Sequence, residues 1–306
     1  MYKLVNFTSK NQFVFEQNGC TLYIKREDEL HPTVSGNKFR KLKYNLLQAR
    51  ALGHDTLLTF GGAYSNHIAA TAAAGKLEGF KTVGVIRGEE LGRDLKKTLA
   101  QNPTLAFAHS CGMEFHFVTR AEYKEKDELR FRESVKKTFN NPFIIPEGGT
   151  NVLAIKGCEE ILTTDDSQFD FISCPIGTAG TISGIINSAG KHQKVLGFPA
   201  LKGDWVRDEV AQYVDSEQWE IIADYHCGGY AKVNRELITF INDFKDAYGI
   251  PLDPVYTGKM LFGLSDLMNR GYFPENSRIL AIHTGGLQGI SGMNTRLAKK
   301  GLPLIQ

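Results

Sequence analysis

Paired cysteines, net charge and long apolar runs are all scarce in this 306-residue sequence. The five cysteines stand at positions 20, 111, 158, 174 and 227, an odd number with no C-x-x-C pair. Such spacing excludes the usual zinc sites and argues against a disulfide framework in a chain of this size. Five free thiols point to a reducing, cytoplasmic setting. Lys plus Arg number 36 and Asp plus Glu 34, a formal net charge of +2. So balanced a chain gives no support to a nucleic-acid binder. No apolar run approaches the roughly 20 residues needed to span a bilayer. The stretch MYKLVNFTSKNQFVFEQNG has neither an unbroken apolar segment nor a small-residue cleavage site. The expectation is a cytoplasmic protein with no membrane, nucleic-acid or metal partner.

Motifs are missing too. No strand runs into G-x-G-x-x-G, no glycine loop ends in G-K-[ST], and G-x-S-x-G does not occur. These absences argue against a dinucleotide-binding dehydrogenase, a Walker-type nucleotide site and a nucleophile-elbow hydrolase.

What is present is alternation. TLYIKRE reads as a strand and FRKLKYNLLQARALG as a helix ending at Gly53. DTLLTFGG, KTVGVIRGE, NPFIIPEGG, FDFISCPIG, KVLGFPAL, WEIIADY and SRILAIHTGG read as further strands. SNHIAATAAAGKLEG is a small-residue helix, and AEYKEKDELRFRESVKKTF reads as one strongly charged helix. Strands alternating with helices argue for an α/β fold with mainly parallel sheets. Ligands of such sheets bind beyond the carboxyl ends of the strands, where the glycines fall.

Five segments could carry chemistry. Gly177-Thr178-Ala179-Gly180-Thr181 follows a buried strand and opens a helix. Its backbone N–H groups, hydroxyls and helix dipole suit a phosphate, although a tight turn without a ligand would read the same way. Lys38 follows Ser35-Gly36-Asn37 at a helix start; desolvation there would depress its pKa, as a Schiff-base lysine requires. With Arg40, Lys41 and Lys43 after it, the alternative is a solvated basic face. Ser65, Asn66 and His67 open the Ala-rich helix, either as caps or as a carboxylate site. Tyr256 and Thr257 precede another helix, and Thr284 closes an apolar strand; each is structural when taken alone.

Taken together, eight collinear segments carry a resemblance. They are IKREDEL, SGNKFRKLKYNL, FGGAYSNHIAATAAAG, IPEGGTN, PIGTAGTISGI, GGYAKVN, PVYTGKMLFGL and HTGGLQG, covering nearly the whole chain. The sequence resembles the 1-aminocyclopropane-1-carboxylate deaminase/D-cysteine desulfhydrase family of pyridoxal-phosphate enzymes. The resemblance implies two three-layer α/β/α domains with mainly parallel sheets, the tryptophan synthase β-like architecture of fold type II. A smaller domain would span residues 41–152, and a larger one residues 1–40 plus 153–306. Pyridoxal 5'-phosphate is the implied cofactor, a small amino acid the substrate, and a homodimer the assembly.

The same resemblance assigns roles. Lys38 falls on the Schiff-base lysine, and Asn66 on the residue that meets the cofactor's phenolic oxygen. Ser65 falls on a catalytic and substrate-binding serine, with His67 beside it. Gly177, Thr178, Ala179, Gly180 and Thr181 match the phosphate loop. Tyr256 matches the catalytic tyrosine beside the pyridine ring, and Tyr230 a second tyrosine on the substrate side. Thr257 and Thr284 match cofactor-binding positions that separate the two branches. The deaminase branch has Glu after the tyrosine and an apolar residue before the late glycine pair, whereas the desulfhydrase branch has Thr at both.

A neutral hydroxyl near the ring nitrogen stabilises a pyridinium less than a carboxylate would. That favours β-elimination over opening a cyclopropane, so the expected activity is conversion of D-cysteine to pyruvate, ammonia and sulfide. The deaminase remains an alternative. So does a pyridoxal-phosphate-binding protein without turnover, because Tyr64 stands where family members usually carry Gln.

Overall fold

The computed structural model describes residues 7–34 and 36–306. Ser35 of the S-G-N-K motif and the first six residues of the N-terminal stretch lie outside them. Among the described residues, ten strands form two sheets: β1 (Asn11–Gln17), β2 (Cys20–Lys25), β3 (Thr56–Gly62), β4 (Lys81–Arg87), β5 (Met113–Val118), β6 (Phe143–Ile145), β7 (Phe171–Ile176), β8 (Lys194–Pro199), β9 (Trp219–Ile221) and β10 (Arg278–Ile282). The larger sheet has the order β1-β2-β10-β7-β8-β9 and the smaller β5-β4-β3-β6. Apart from the β1–β2 hairpin, every pairing is parallel.

Helices cover both sheets. They are α1 (Asn37–Ala51), α2 (Asn66–Glu78), α3 (Leu95–Gln101), α4 (Pro103–Ser110), α5 (Arg120–Lys124), α6 (Leu129–Thr138), α7 (Val152–Cys158), α8 (Gly180–Ser188), α9 (Trp205–Ala211), α10 (Arg235–Tyr248), α11 (Thr257–Asn269) and α12 (Gly289–Ala298). None of the described helices is long and apolar enough to cross a membrane.

Strand alternation divides each core in two, because successive side chains leave a strand on opposite faces. In the larger sheet Leu22, Ile24, Leu196, Phe198, Ile279 and Ala281 pack against α10, α11 and α12. Their neighbours Ile172, Cys174, Ile176, Val195, Leu280 and Ile282 face α8 and α9. In the smaller sheet Leu58, Phe60, Val83, Val85 and Ile144 meet Tyr123 of α5 and Val135 of α6. Leu57 and Ile145 pack under α1 and α2, while Ile86 and Met113 pack under α2 and α4. Both sheets are therefore three-layer sandwiches, the arrangement parallel strands require because both of their faces must be covered.

Two strands carry no matching expectation, and one expected helix is split. β1 pairs with β2 through Asn18 (φ 49°) and Gly19 (φ 73°), a left-handed pair that gives the tight turn favoured in hairpins. β5, MEFHFV, is half covered and sits at the sheet edge, so its apolar pattern is weak. AEYKEKDELRFRESVKKTF forms α5 and α6 rather than one helix. A capping box at Thr119 starts α5. The break at Glu125–Glu128 then lets Lys126 bridge Asp127 and Glu147, with Arg132 also on Asp127. The tips that matter are carboxyl ends: β3 runs into Ser65, β7 into Gly177–Thr181 and β10 into Thr284.

Candidate active site

Lys38 is the second residue of α1, whose first turn is docked onto the end of β10. The Asn37 N–H donates to the Thr284 carbonyl at 3.2 Å. Asn37 also links the lysine to the glycine loop. Lys38 Nζ donates to Asn37 Oδ1 at 3.3 Å, and Asn37 Nδ2 donates to Thr181 Oγ1 at 2.8 Å. Lys38, Asn37, Asn66, Thr284, Gly286 and Gln288 line one small cavity. Burial first, and then the charge of Lys41, bring the Lys38 ammonium from 10.5 down to about 7. The sequence pointed to desolvation at a helix start; a neighbouring lysine is what the structure adds.

The alternative of a solvated basic face does not form. Lys41 and Arg40 are buried. Arg40 makes a paired contact with the buried Glu27 carboxylate at 2.9 Å to each oxygen. Lys43 bonds Glu160 at 2.7 and 2.8 Å. Lys41 Nζ donates to Gly148 O at 3.1 Å, Thr150 Oγ1 at 3.0 Å and Thr178 Oγ1 at 3.1 Å. A cation is thus held on the glycine loop itself, where it suits an anionic group. Only its place one turn after Lys38 hinted at this in the sequence.

Gly177–Thr181 enters α8 from the tip of β7, so the first N–H groups of that helix have no intrahelical acceptor. Gly177 is required by a close approach: a methyl group there would lie 2.8 Å from Tyr256 Cε1. The Tyr256 ring therefore covers the loop, and Tyr230 meets it edge-on with ring centroids 6.3 Å apart. Burial, then the adjacent Tyr230, hold the Tyr256 hydroxyl well above its ordinary 10. It stays protonated at neutral pH.

Thr257 is fully buried, and its hydroxyl is committed to Asp253. It donates to Asp253 Oδ1 at 2.8 Å and accepts from the Asp253 N–H at 3.0 Å. Asp253 also accepts from the N–H groups of Val255, Tyr256 and Thr257 at 2.9, 3.0 and 2.7 Å, capping α11. Burial pushes its carboxyl up from 3.8, against those bonds. Asp253 lies beside Gly286, where an added methyl would sit 3.3 Å from Cγ, and the sequence reading did not single it out.

Ser65 caps α2, accepting from the Ile68 N–H at 3.3 Å. Asn66 Oδ1 accepts from Gln288 Nε2 at 3.0 Å, joining α2 to the start of α12 across the cleft. Tyr64 packs on Gly292 nearby, where an added methyl would lie 2.6 Å from the tyrosine ring. His67 points elsewhere. Its Nε2 is 2.8 Å from Thr59 Oγ1, its Nδ1 is buried without a partner among the described residues, and burial holds its pKa well below 6.5. The first-turn N–H groups of Asn66 and His67 are free of helical acceptors and remain available to a carboxylate. Two buried thiols border the lysines. Burial pushes Cys158 up to about 11 and Cys174 higher still, so neither supplies a thiolate.

A near-neutral amine, an N–H-rich loop and a buried cation on that loop together fit a ligand carrying both an aldehyde and a phosphate. Comparison with known proteins agrees. The family model described as "Pyridoxal-phosphate dependent enzyme" matches residues 9–285. A mitochondrial bifunctional D-cysteine desulfhydrase/1-aminocyclopropane-1-carboxylate deaminase of Arabidopsis thaliana is 33% identical over 300 residues, 89% of this chain and 74% of that protein. A D-cysteine desulfhydrase of Klebsiella pneumoniae (strain 342) is 27% identical over 305 residues, 91% of this chain and 90% of that one. A crystal structure titled as an ACC deaminase homologue superposes with a TM-score of 0.77 at 26% identity, covering 97% of this chain and 95% of that one. The chain belongs to the pyridoxal-phosphate dependent enzymes, within the 1-aminocyclopropane-1-carboxylate deaminase/D-cysteine desulfhydrase family.

Proposed function

We propose that the protein is a D-cysteine desulfhydrase-like lyase converting D-cysteine and water to pyruvate, ammonia and hydrogen sulfide. One observation carries the choice within the family. Among the described residues no acid lines the Lys38 cavity, whose walls are amide, hydroxyl, glycine, alanine and lysine. The two branch-separating positions are the neutral Thr257 and Thr284, and Asp253 spends its oxygens on capping α11. A site without a carboxylate at the ring stabilises a protonated pyridine less, which suits loss of an activated β-substituent better than ring opening. The second reading, a 1-aminocyclopropane-1-carboxylate deaminase, draws on the names of the relatives.

In this reading Lys38 would hold the cofactor, the loop Gly177–Thr181 and Lys41 would receive its phosphate, and Asn66 and Thr284 would flank it. The cofactor supplies an electron sink for the Cα–H bond electrons. Ser65 and the N–H groups of Asn66 and His67 orient the substrate carboxylate at the start of α2. The Lys38 amine, near-neutral in pKa, takes the Cα proton. As the Cβ–S bond breaks, the protonated Tyr256, with Tyr230 edge-on beside it, would supply the departing sulfur with a proton. Water then converts the remaining enamine acid to pyruvate and ammonia.

The smaller sheet and its helices form the domain of residues 41–152 in this scheme, and the rest forms the larger one. All five cysteines are free, which supports a reducing cytoplasmic setting. The homodimer rests on the family resemblance. The test is to follow the visible spectrum and the keto acid formed with D-cysteine, L-cysteine, D-serine and 1-aminocyclopropane-1-carboxylate. Pyruvate from D-cysteine supports the proposal; 2-oxobutanoate from the cyclopropane substrate, without pyruvate from D-cysteine, replaces it with the deaminase.

A further inference from the structure

The chemistry above leaves two buried lysines unused, and of these Lys25 is neutralised by Asp166 at 2.7 Å whereas Lys259 has no such partner among the described residues. Lys259 lies on α11 one turn after Tyr256 and is 1% exposed. Its Nζ donates to the carbonyl oxygens of His226 at 2.8 Å, Gly229 at 2.9 Å and Ala200 at 3.4 Å. Among the described residues it forms no salt bridge. A buried cation on neutral partners is costly, and an apolar side chain of similar size would not carry that cost. Something must be held that an apolar side chain would not hold.

That something is a turn. Cys227 (φ 53°), Gly228 (φ 89°), Gly229 (φ 115°) and Ala231 (φ 53°) all have left-handed or otherwise positive backbone angles. Two of the four are not glycine, and such conformations are unfavourable by about 1 kcal/mol or more for each non-glycine residue. Local preference does not make this turn; outside contacts do. At its start Tyr225 donates its hydroxyl to Asp266 Oδ2 at 2.6 Å, and its ring packs where a methyl on Gly263 would lie 2.7 Å away. Lys259 gathers the carbonyls in the middle. At its end stands Tyr230, edge-on to Tyr256. One helix, α11, thus carries Tyr256 at its N-terminal end and holds in register the turn that brings Tyr230 to it.

We infer that Lys259 is a positioning residue, the cation around which the carbonyls of Ala200, His226 and Gly229 gather so that Tyr230 is set against Tyr256 over the phosphate loop. The inference rests on the assignment of both tyrosines to the active site. It has a chemical corollary. Carbonyl oxygens arranged around an ammonium also suit a free monovalent cation of similar size, since they replace its hydration shell. With the side chain cut back, ammonium or potassium takes the vacated place.

The test compares the holoenzymes of the unaltered protein, Lys259→Ala and Lys259→Met. Lys259→Ala keeps the visible absorbance of bound cofactor and loses roughly 10- to 100-fold in kcat, the scale of a misplaced catalytic group. Ammonium or potassium chloride restores much of that loss and raises the thermal midpoint, whereas lithium and tetramethylammonium chloride do neither. Lys259→Met shows the same loss, and no salt restores it, because the side chain fills the space. Unaltered kcat and KM in Lys259→Met would overturn the inference. So would a Lys259→Ala protein that responds to all four salts alike. Should Lys259→Ala not fold, Lys259→Met decides through kcat and KM alone. If the unaltered protein turns over no amino acid, the functional proposal fails, and the salt-selective thermal midpoint still reports on the carbonyl cage.

Discussion

Gly36 and Thr284 are in backbone contact: a methyl group on Gly36 would lie 2.0 Å from the Thr284 carbonyl oxygen. Gly36 also has a φ of 63°, which other residues rarely adopt. The same carbonyl receives the Asn37 N–H, so the segment that presents Lys38 is seated directly on the end of β10. No side chain fits between them.

Gly36→Ala is therefore expected to be destabilising by about 2 kcal/mol or more, combining a disfavoured φ with a clash against backbone that cannot swing away. Denaturant unfolding measures the loss. The visible absorbance of the holoprotein should fall with it, since the Lys38 turn must shift.

Lys38 should take up the cofactor faster as pH rises. Only the neutral amine reacts with an aldehyde, and its pKa is about 7. The rate of reconstitution of the cofactor-free protein should climb through an apparent pKa near that value. Stability of the cofactor-free protein follows the same group. Below pH 7 the lysine is charged in both the folded and unfolded chains, so its burial costs stability there. From about pH 7 to 10.5 only the unfolded chain keeps the proton, and stability rises with pH. A flat reconstitution rate from pH 6 to 9 would contradict this assignment.

Lys41→Met removes the cation held on Thr178 and the one that depresses Lys38. Cofactor affinity should drop roughly 10- to 100-fold, the worth of a charge-assisted hydrogen bond. The apparent pKa of reconstitution should move above that of the unaltered protein, because a repelling charge is gone. Titration of the cofactor-free variant at several pH values reads both effects.

How much of this was open to the sequence depended on whether a residue acts through its neighbours in the chain or across space. The glycine loop after β7 and the small-residue start of α2 were legible because strand, glycines and helix follow one another. The parallel sheets were legible from the same alternation. Lys41 was not: the lysines and arginine of NKFRKLKYNLL read as a solvated stripe, and only the packing of α1 on α7 and on the Gly148–Thr150 turn buries Lys41. Lys259 stayed hidden for the same reason, because its partners are the carbonyls of Ala200, His226 and Gly229 that the fold brings to it, whereas Asp253 caps its own chain neighbours and only its place beside Gly286 depends on the fold. His67 shows the reverse. Its position in S-N-H suggests a side chain at the substrate, whereas the ring is buried against Thr59 and Gly149.

Thr257→Val should cost about 1–3 kcal/mol, because Asp253 loses a hydroxyl donor in a buried place. Thr257→Ser keeps that donor and should stay close to the unaltered protein. Paired unfolding curves separate the two. Equal stability of Val and Ser variants would mean that the Thr257–Asp253 bond contributes nothing.

The central claim is that, of the four buried or desolvated lysines Lys25, Lys38, Lys41 and Lys259, Lys38 is the one that reacts. Borohydride reduction of the holoenzyme, followed by peptide mass mapping, tests it most directly. The account predicts the cofactor's added mass on Lys38 alone, with Lys41 and Lys259 unmodified. The added mass on Lys41 or Lys259, or on no lysine of a coloured protein, would contradict it.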